Sequence, residues 1–274
     1  MSADSNKELD RLFKTTIFGR RITIDVSGET IVGNLHEPQG ESPGAPVLLL
    51  HGLGGSRQEH NGLFLRTAAL LAASGFTVLR IDFRGHGESS GFTLSCNPES
   101  LIEDALIGVS FLRELPGCQD KKVSLLGLSL GGLVAALTTR QSDDIGAMVL
   151  WEAPFNLIET FTRLLGPFSF EKVRARGYLQ AGMIQISDDF VEGFAKRDCR
   201  ELMADVSIPS LIVQGREDKI VLFEDADRWR HALRSSACEV VYIAGGDHAF
   251  PAEDHAYQVI ETTRAWLVNA FSSK

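Results

Sequence analysis

Apolar residues fall along this chain in short runs, each closed by glycine or by a charged residue. The runs occupy residues 46–50, 76–82, 122–126, 147–151, 210–214 and 239–243. They are apolar on both alternating faces, as a strand sandwiched between helices must be. Between them lie segments whose apolar positions recur at helical spacing: 61–74, 98–115, 130–141, 222–234 and 256–270. Asn97-Pro98 opens one of these with a capping side chain and then a proline, which has no N–H to leave unpaired in the first turn. Strands alternating with helices predict an α/β fold with a mostly parallel, doubly wound sheet and right-handed crossovers. Ahead of the alternation, residues 14–26 and 29–35 carry β-branched residues in rough alternation around Ser27-Gly28, which predicts an antiparallel hairpin at one sheet edge. Residues 1–10 read as a polar tail, and 38–46, with their prolines and glycines, as a loop.

The rhythm lapses between residues 153 and 206, which hold no βα repeat but several aromatic residues, among them Phe155, Phe161, Tyr178, Phe190 and Phe194. Short helices and a hairpin over 177–186 are expected there. The whole, 1–274, is read as a single domain with 153–206 inserted in it, since α/β folds of this length are commonly one domain.

Charge narrows the function. There are 27 Lys and Arg against 36 Asp and Glu, a net −9, and no basic stripe of the kind nucleic acid requires. No run approaches the ~18 apolar residues of a membrane span, and the N-terminus shows no leader. Cys96, Cys118, Cys199 and Cys238 form no zinc or disulfide spacing. A reducing, cytoplasmic setting is therefore expected. A nucleotide loop is missing from the first strand end, and His51, His60, His86 and His248 share no ligand spacing, so neither cofactor nor metal is expected.

In an open parallel sheet, ligands bind beyond the carboxyl ends of the strands. Gly127-Leu-Ser-Leu-Gly131 stands at such an end, between an apolar strand and an amphipathic helix. A tight turn there exposes the Ser129 hydroxyl, and the helix that follows aims its N–H groups at the same spot. A serine nucleophile needs a base, and the base needs an orienting acid. His248 follows the last strand and Asp218 the one before it. Glu217 and Asp247 compete with Asp218 for the acid's place, but adjacent loop residues usually face apart and Asp247 is too near His248 in sequence to orient its ring. His51-Gly-Leu-Gly-Gly55 follows the first parallel strand, where glycines let backbone donors approach a developing oxyanion. The N–H groups of Leu53 and Leu130 are the expected donors. Asp82, Arg84 and His86 are expected to brace their loop through one another.

Together these motifs, with the stretch from Asp82 to Gly91 and the closing Gly-Gly-Asp-His-Ala-Phe, resemble the α/β-hydrolase superfamily over nearly the whole chain. Within it they are most similar to small bacterial cinnamoyl and feruloyl esterases. The resemblance implies an α/β-hydrolase fold, Ser129 as nucleophile, His248 as base, Asp218 as acid, and a compact cap at 153–206. It departs at the nucleophile, where that family's Gly-His-Ser-Gln-Gly becomes Gly-Leu-Ser-Leu-Gly and dries the oxyanion side. The expected activity is a serine carboxylesterase acting on small apolar or aromatic acyl groups, cinnamoyl-like or short-chain, with Tyr178, Phe155 and Met183 as candidate substrate contacts. A monoacylglycerol-type lipase, a thioesterase or a prolyl-type aminopeptidase would use the same scaffold, the last needing an amine-binding carboxylate such as Glu152, Glu159, Asp188 or Asp189. A small-molecule receptor with a retained triad is the alternative of another class. A small-molecule ester is the expected partner, and a homodimer is compatible with the composition.

Overall fold

The computed structural model describes residues 17–38, 45–166, 169–181, 184–233 and 237–272. The tail at 1–10, the start of the first expected strand, most of the loop before residue 45, and Met183 lie outside these residues. The apolar runs become the middle of an eight-stranded sheet. β1 (Arg20–Val26) and β2 (Glu29–His36) form the expected hairpin. β3 (Val47–Leu50), β4 (Val78–Ile81), β5 (Val123–Leu128) and β6 (Ile145–Trp151) follow. β7 (Tyr178–Ala181) and β8 (Ile184–Ser187) make a separate antiparallel hairpin, and β9 (Ser210–Gly215) and β10 (Cys238–Ile243) return to the sheet. Its order is β1-β2-β4-β3-β5-β6-β9-β10. From β4 to β10 all neighbours are parallel, and β2 joins β4 antiparallel.

Helices cover both faces. They are α1 (Leu63–Ala73), α2 (Pro98–Glu114), α3 (Leu130–Thr139), then α4 (Leu157–Leu165), α5 (Ser169–Arg176), α6 (Asp188–Ala195) and α7 (Cys199–Leu202), and lastly α8 (Glu224–Leu233) and α9 (Glu253–Ser272). Every residue of β3, β4, β5 and β9 is buried, which is why these strands read as mainly apolar runs, with Arg80 the charged exception in β4. One core lies on the α2 and α3 side, around Leu48, Leu125 and Met148. The other lies between the sheet and helices α1 and α9, around Phe64, Trp151 and Phe250. Trp151 satisfies its indole N–H on Thr263 Oγ1 at 2.9 Å, as a buried tryptophan must. Residues 153–206 hold α4, α5, the β7–β8 hairpin, α6 and α7. The hairpin reaches the loop after β3: a Cβ at Gly54 would lie 3.2 Å from the Ile184 side chain.

Candidate active site

The turn between β5 and α3 is held by close backbone approach. A Cβ at Gly131 would lie 2.0 Å from the Leu50 carbonyl oxygen, so only glycine lets α3 start against β3. Ser129 itself sits at φ 53°, ψ −121°, a region that strains any residue with a Cβ, and its N–H bonds to the Trp151 carbonyl at 2.8 Å. The strain turns the serine out of the sheet at the mouth of a cavity of about 380 Å³. Ser129, Leu53, Leu130 and His248 all line that cavity.

His248 follows β10. Its Nδ1 lies 2.8 Å from Asp218 Oδ2, and Asp218 is buried at the end of β9. The other Asp218 oxygen accepts the N–H groups of Ile220 and Val221 at 2.7 and 2.9 Å, and Gln214 Nε2 donates to Oδ2 at 3.3 Å. These donors fix the carboxylate so that it can fix the ring. Of the competing acids, Asp247 turns back to accept the His248 N–H at 2.8 Å, and Glu217 is exposed.

The loop after β3 is braced from behind. Phe83 donates its N–H to His51 Nε2 at 3.1 Å, so the ring proton sits on Nδ1 and points to the Gly52 carbonyl, 2.8 Å away. Burial, with His86 alongside, pushes the His51 pKa down to about 4 and keeps it neutral. Glu59, at φ 57°, accepts the Gly52 N–H on Oε1 at 2.5 Å and faces the cavity; burial pushes its carboxyl pKa up.

Asp82, Arg84 and His86 brace one another only in part: His86 Nδ1 lies 3.4 Å from the Arg84 carbonyl oxygen, while the Asp82 carboxylate and the Arg84 guanidinium take other partners. Asp82 pairs with Arg57, accepting its guanidinium and its backbone N–H, the latter at 2.6 Å, and it also accepts the Glu88 N–H at 2.9 Å. Arg84 turns outward to Asp104, at 2.6 Å, and to Glu29, at 3.0 Å. His86 Nδ1 lies 3.9 Å from Cys96 Sγ. These residues lie in the loop beyond β4, which ends at Ile81, and the turns of that loop aim each side chain at a different partner.

The candidate substrate contacts are dispersed. Phe155 is buried against Trp229, with ring centroids 5.0 Å apart, and lies outside the lining of the Ser129 cavity. Tyr178 is exposed on β7 and is likewise not in that lining. The cavity walls come instead from Pro154, Leu157, Thr160 and Phe161, with Leu164, Leu165, Ile220 and Val221 toward the rim. A larger concavity of about 480 Å³ at the far edge, beside Trp266 and Pro209, contains no nucleophile with a paired acid and base.

Glu152, named from the sequence only as one of four carboxylates that could hold an amine, lies instead beside His248. Glu152 is the first residue after β6, completely buried, at φ 46°. Its Oε2 accepts the Ala249 N–H at 2.6 Å and lies 3.6 Å from His248 Nδ1; its Oε1 accepts the Gly215 N–H at 3.3 Å. Burial and the neighbouring Asp218 push its pKa well up. Glu152, Asp218 and His248 could each offer a metal one atom, within 4.8 Å of one another. Backbone N–H donors already aim at both carboxylates, so the cluster serves as a hydrogen-bond network around the ring. The available signal was position: a carboxylate directly beyond an apolar strand run.

Known proteins agree with this architecture. The profile of the alpha/beta hydrolase family matches residues 47–262, most of the chain, and the chain belongs to that family. It is 29% identical over 223 residues to the serine hydrolase BPHL of Mus musculus, covering 74% of this chain and 73% of that one. It is 25% identical over 219 residues to the uncharacterized protein YfhR of Salmonella typhi, covering 76% of this chain but 65% of the relative. The structure of Est1E from Butyrivibrio proteoclasticus with ferulic acid bound superposes with a TM-score of 0.76 at 20% identity, over 92% of this chain and all of that one.

Proposed function

We propose that this chain is a serine carboxylesterase in which Ser129 is the nucleophile, His248 the base and Asp218 the orienting acid. The observation that carries the reading is the 2.8 Å contact of His248 Nδ1 with buried Asp218, in the wall of the cavity that strained Ser129 also lines. Asp218 holds the imidazole with its proton on Nδ1, leaving Nε2 to accept the Ser129 proton as Oγ attacks the ester carbonyl. The N–H groups of Leu53 and Leu130 stabilise the oxyanion. His248 then gives its proton to the leaving alcohol. Water, deprotonated by the same nitrogen, splits the acyl-enzyme and returns Ser129 to its hydroxyl form.

The walls suggest the acyl group. Leu157, Phe161, Leu164 and Val221 offer apolar surface, and removing a chain from water against them contributes about 25 cal/mol per Å². In this reading residues 153–206 act as the cap, because α4 supplies much of the wall. Est1E, whose structure holds ferulic acid, supports an aromatic acyl group within the same reading. A second reading, a monoacylglycerol-type lipase, is favoured by the leucines at the rim: Leu164 and Leu165 are 40% and 43% exposed.

A fluorophosphonate probe should label Ser129, located by mass mapping. Ser129→Ala should lower hydrolysis of p-nitrophenyl esters by ~10³-fold or more. A variant that keeps most of the activity would overturn the nucleophile. A panel of p-nitrophenyl esters of rising chain length, with methyl ferulate and a monoacylglycerol, separates the acyl classes.

A further inference from the structure

Two carboxylates, from two different strand ends, face one imidazole nitrogen. Asp218 Oδ2 is 2.8 Å from His248 Nδ1 and Glu152 Oε2 is 3.6 Å from it. Both side chains are completely buried, whereas His248 keeps 21% of its side-chain surface. A buried carboxylate costs several kcal/mol unless it is hydrogen-bonded. A glutamate placed there only to fill space is therefore a poor substitute for an apolar residue. Its two N–H partners are not scattered. Gly215 N–H belongs to the end of the acid-bearing strand and Ala249 N–H to the residue after the base. Glu152 therefore ties together the loops that carry Asp218 and His248.

We propose that Glu152 is a second orienting acid for His248: it positions the loop through Ala249 and stands ready to accept the Nδ1–H hydrogen bond when Asp218 cannot. The proposal rests on the esterase reading above. The groups facing Glu152 are Asp218 and His248, with Asp247 acting from farther off. While Asp218 is present, its charge and the dry surroundings disfavour a second anion, and Glu152 is secondary. Without Asp218 that repulsion is gone, Glu152 Oε2, 3.6 Å away, is the carboxylate oxygen left facing Nδ1, and a small swing of the ring closes the gap. Nothing new is consumed: the proton stays on Nδ1 and changes its acceptor.

The test is a double-mutant cycle on the full chain, read as kcat/KM for a p-nitrophenyl ester, with Asp218→Ala, Glu152→Gln and both. Asp218→Ala should retain measurable turnover, down about 10²-fold, and Glu152→Gln alone should cost about 10-fold. Glu152→Gln made on the Asp218→Ala background should cost ~10²-fold or more, bringing activity close to that of Ser129→Ala. A purely structural Glu152 would cost the same factor in both backgrounds, and that result overturns the proposal. A second readout does not depend on Glu152→Gln folding. The far-downfield proton NMR signal of His248 Nδ1–H should persist in Asp218→Ala, and its disappearance there would equally overturn the proposal. If wild-type Ser129 takes no fluorophosphonate label, it is the esterase reading that fails. If it is labelled and the two factors agree, only the role of Glu152 falls.

Discussion

At the residue scale, backbone strain is what turns Ser129, the proposed nucleophile, out of the sheet. Holding a residue with a Cβ at φ 53°, ψ −121° costs about 1–3 kcal/mol. Ser129→Gly removes that cost and loses part of the gain, about 0.5–1 kcal/mol, to the greater freedom of glycine in the unfolded chain. It should be inactive yet melt roughly 2 °C or more above wild type, while Ser129→Ala, equally strained, stays near wild type. Calorimetry on the three proteins checks this, and a Ser129→Gly that melts lower would mean the turn is unstrained.

The elements show what the sequence made legible and what it hid. Six apolar runs became six parallel strands: five lie inside the sheet, largely buried on both faces, and the sixth, β10, forms an edge. The hairpin closed at Ser27-Gly28, whose positive φ values suit a tight turn. Helix α2 began at the predicted proline, its Asn97 accepting the Ser100 N–H at 2.8 Å. The positions of Ser129, Asp218 and His248 were readable because each ends a strand. Side-chain partners were not. Asp82 and Arg84 look like a pair in sequence, yet 25 residues separate Asp82 from its partner Arg57, and no local pattern reports that distance. The aromatic residues of 153–206 were ambiguous for the same reason: Phe190 and Phe194 meet in the interior as tilted rings with centroids 4.8 Å apart, and Phe155 packs on Trp229. On α4, Leu164 and Leu165 stand at the cavity rim, partly in water. Replacing both by glutamine should leave acetate hydrolysis within about twofold and lower kcat/KM for an octanoyl ester ~10-fold, since only the longer chain reaches the rim. Equal losses on both esters would place the acyl chain elsewhere.

For the whole molecule, the buried Arg57–Asp82 pair is the chief electrostatic joint. It links the loop after β3 to the end of β4, and Arg57 extends it to Asn34 on β2 at 2.6 Å. Both partners are nearly inaccessible to water. Asp82→Asn leaves the buried guanidinium with only the exposed Glu88, at 2.8 Å, as an anionic partner, which should cost about 3 kcal/mol. Denaturant unfolding should show a lower midpoint at unchanged slope, and a loss below ~1 kcal/mol would mean water reaches the pair. No helix among the described residues is long and apolar enough to cross a membrane.

The meeting of Ile184 with Gly54 makes residue 54 a spacer between two parts that otherwise share few atoms. Its bare α-carbon lets the small hairpin rest directly on the glycine-rich segment beside the nucleophile. Any bulkier residue there would press on Ile184 and, at φ 70°, strain its own backbone, so the seating of the hairpin is set by a position with no chemistry of its own.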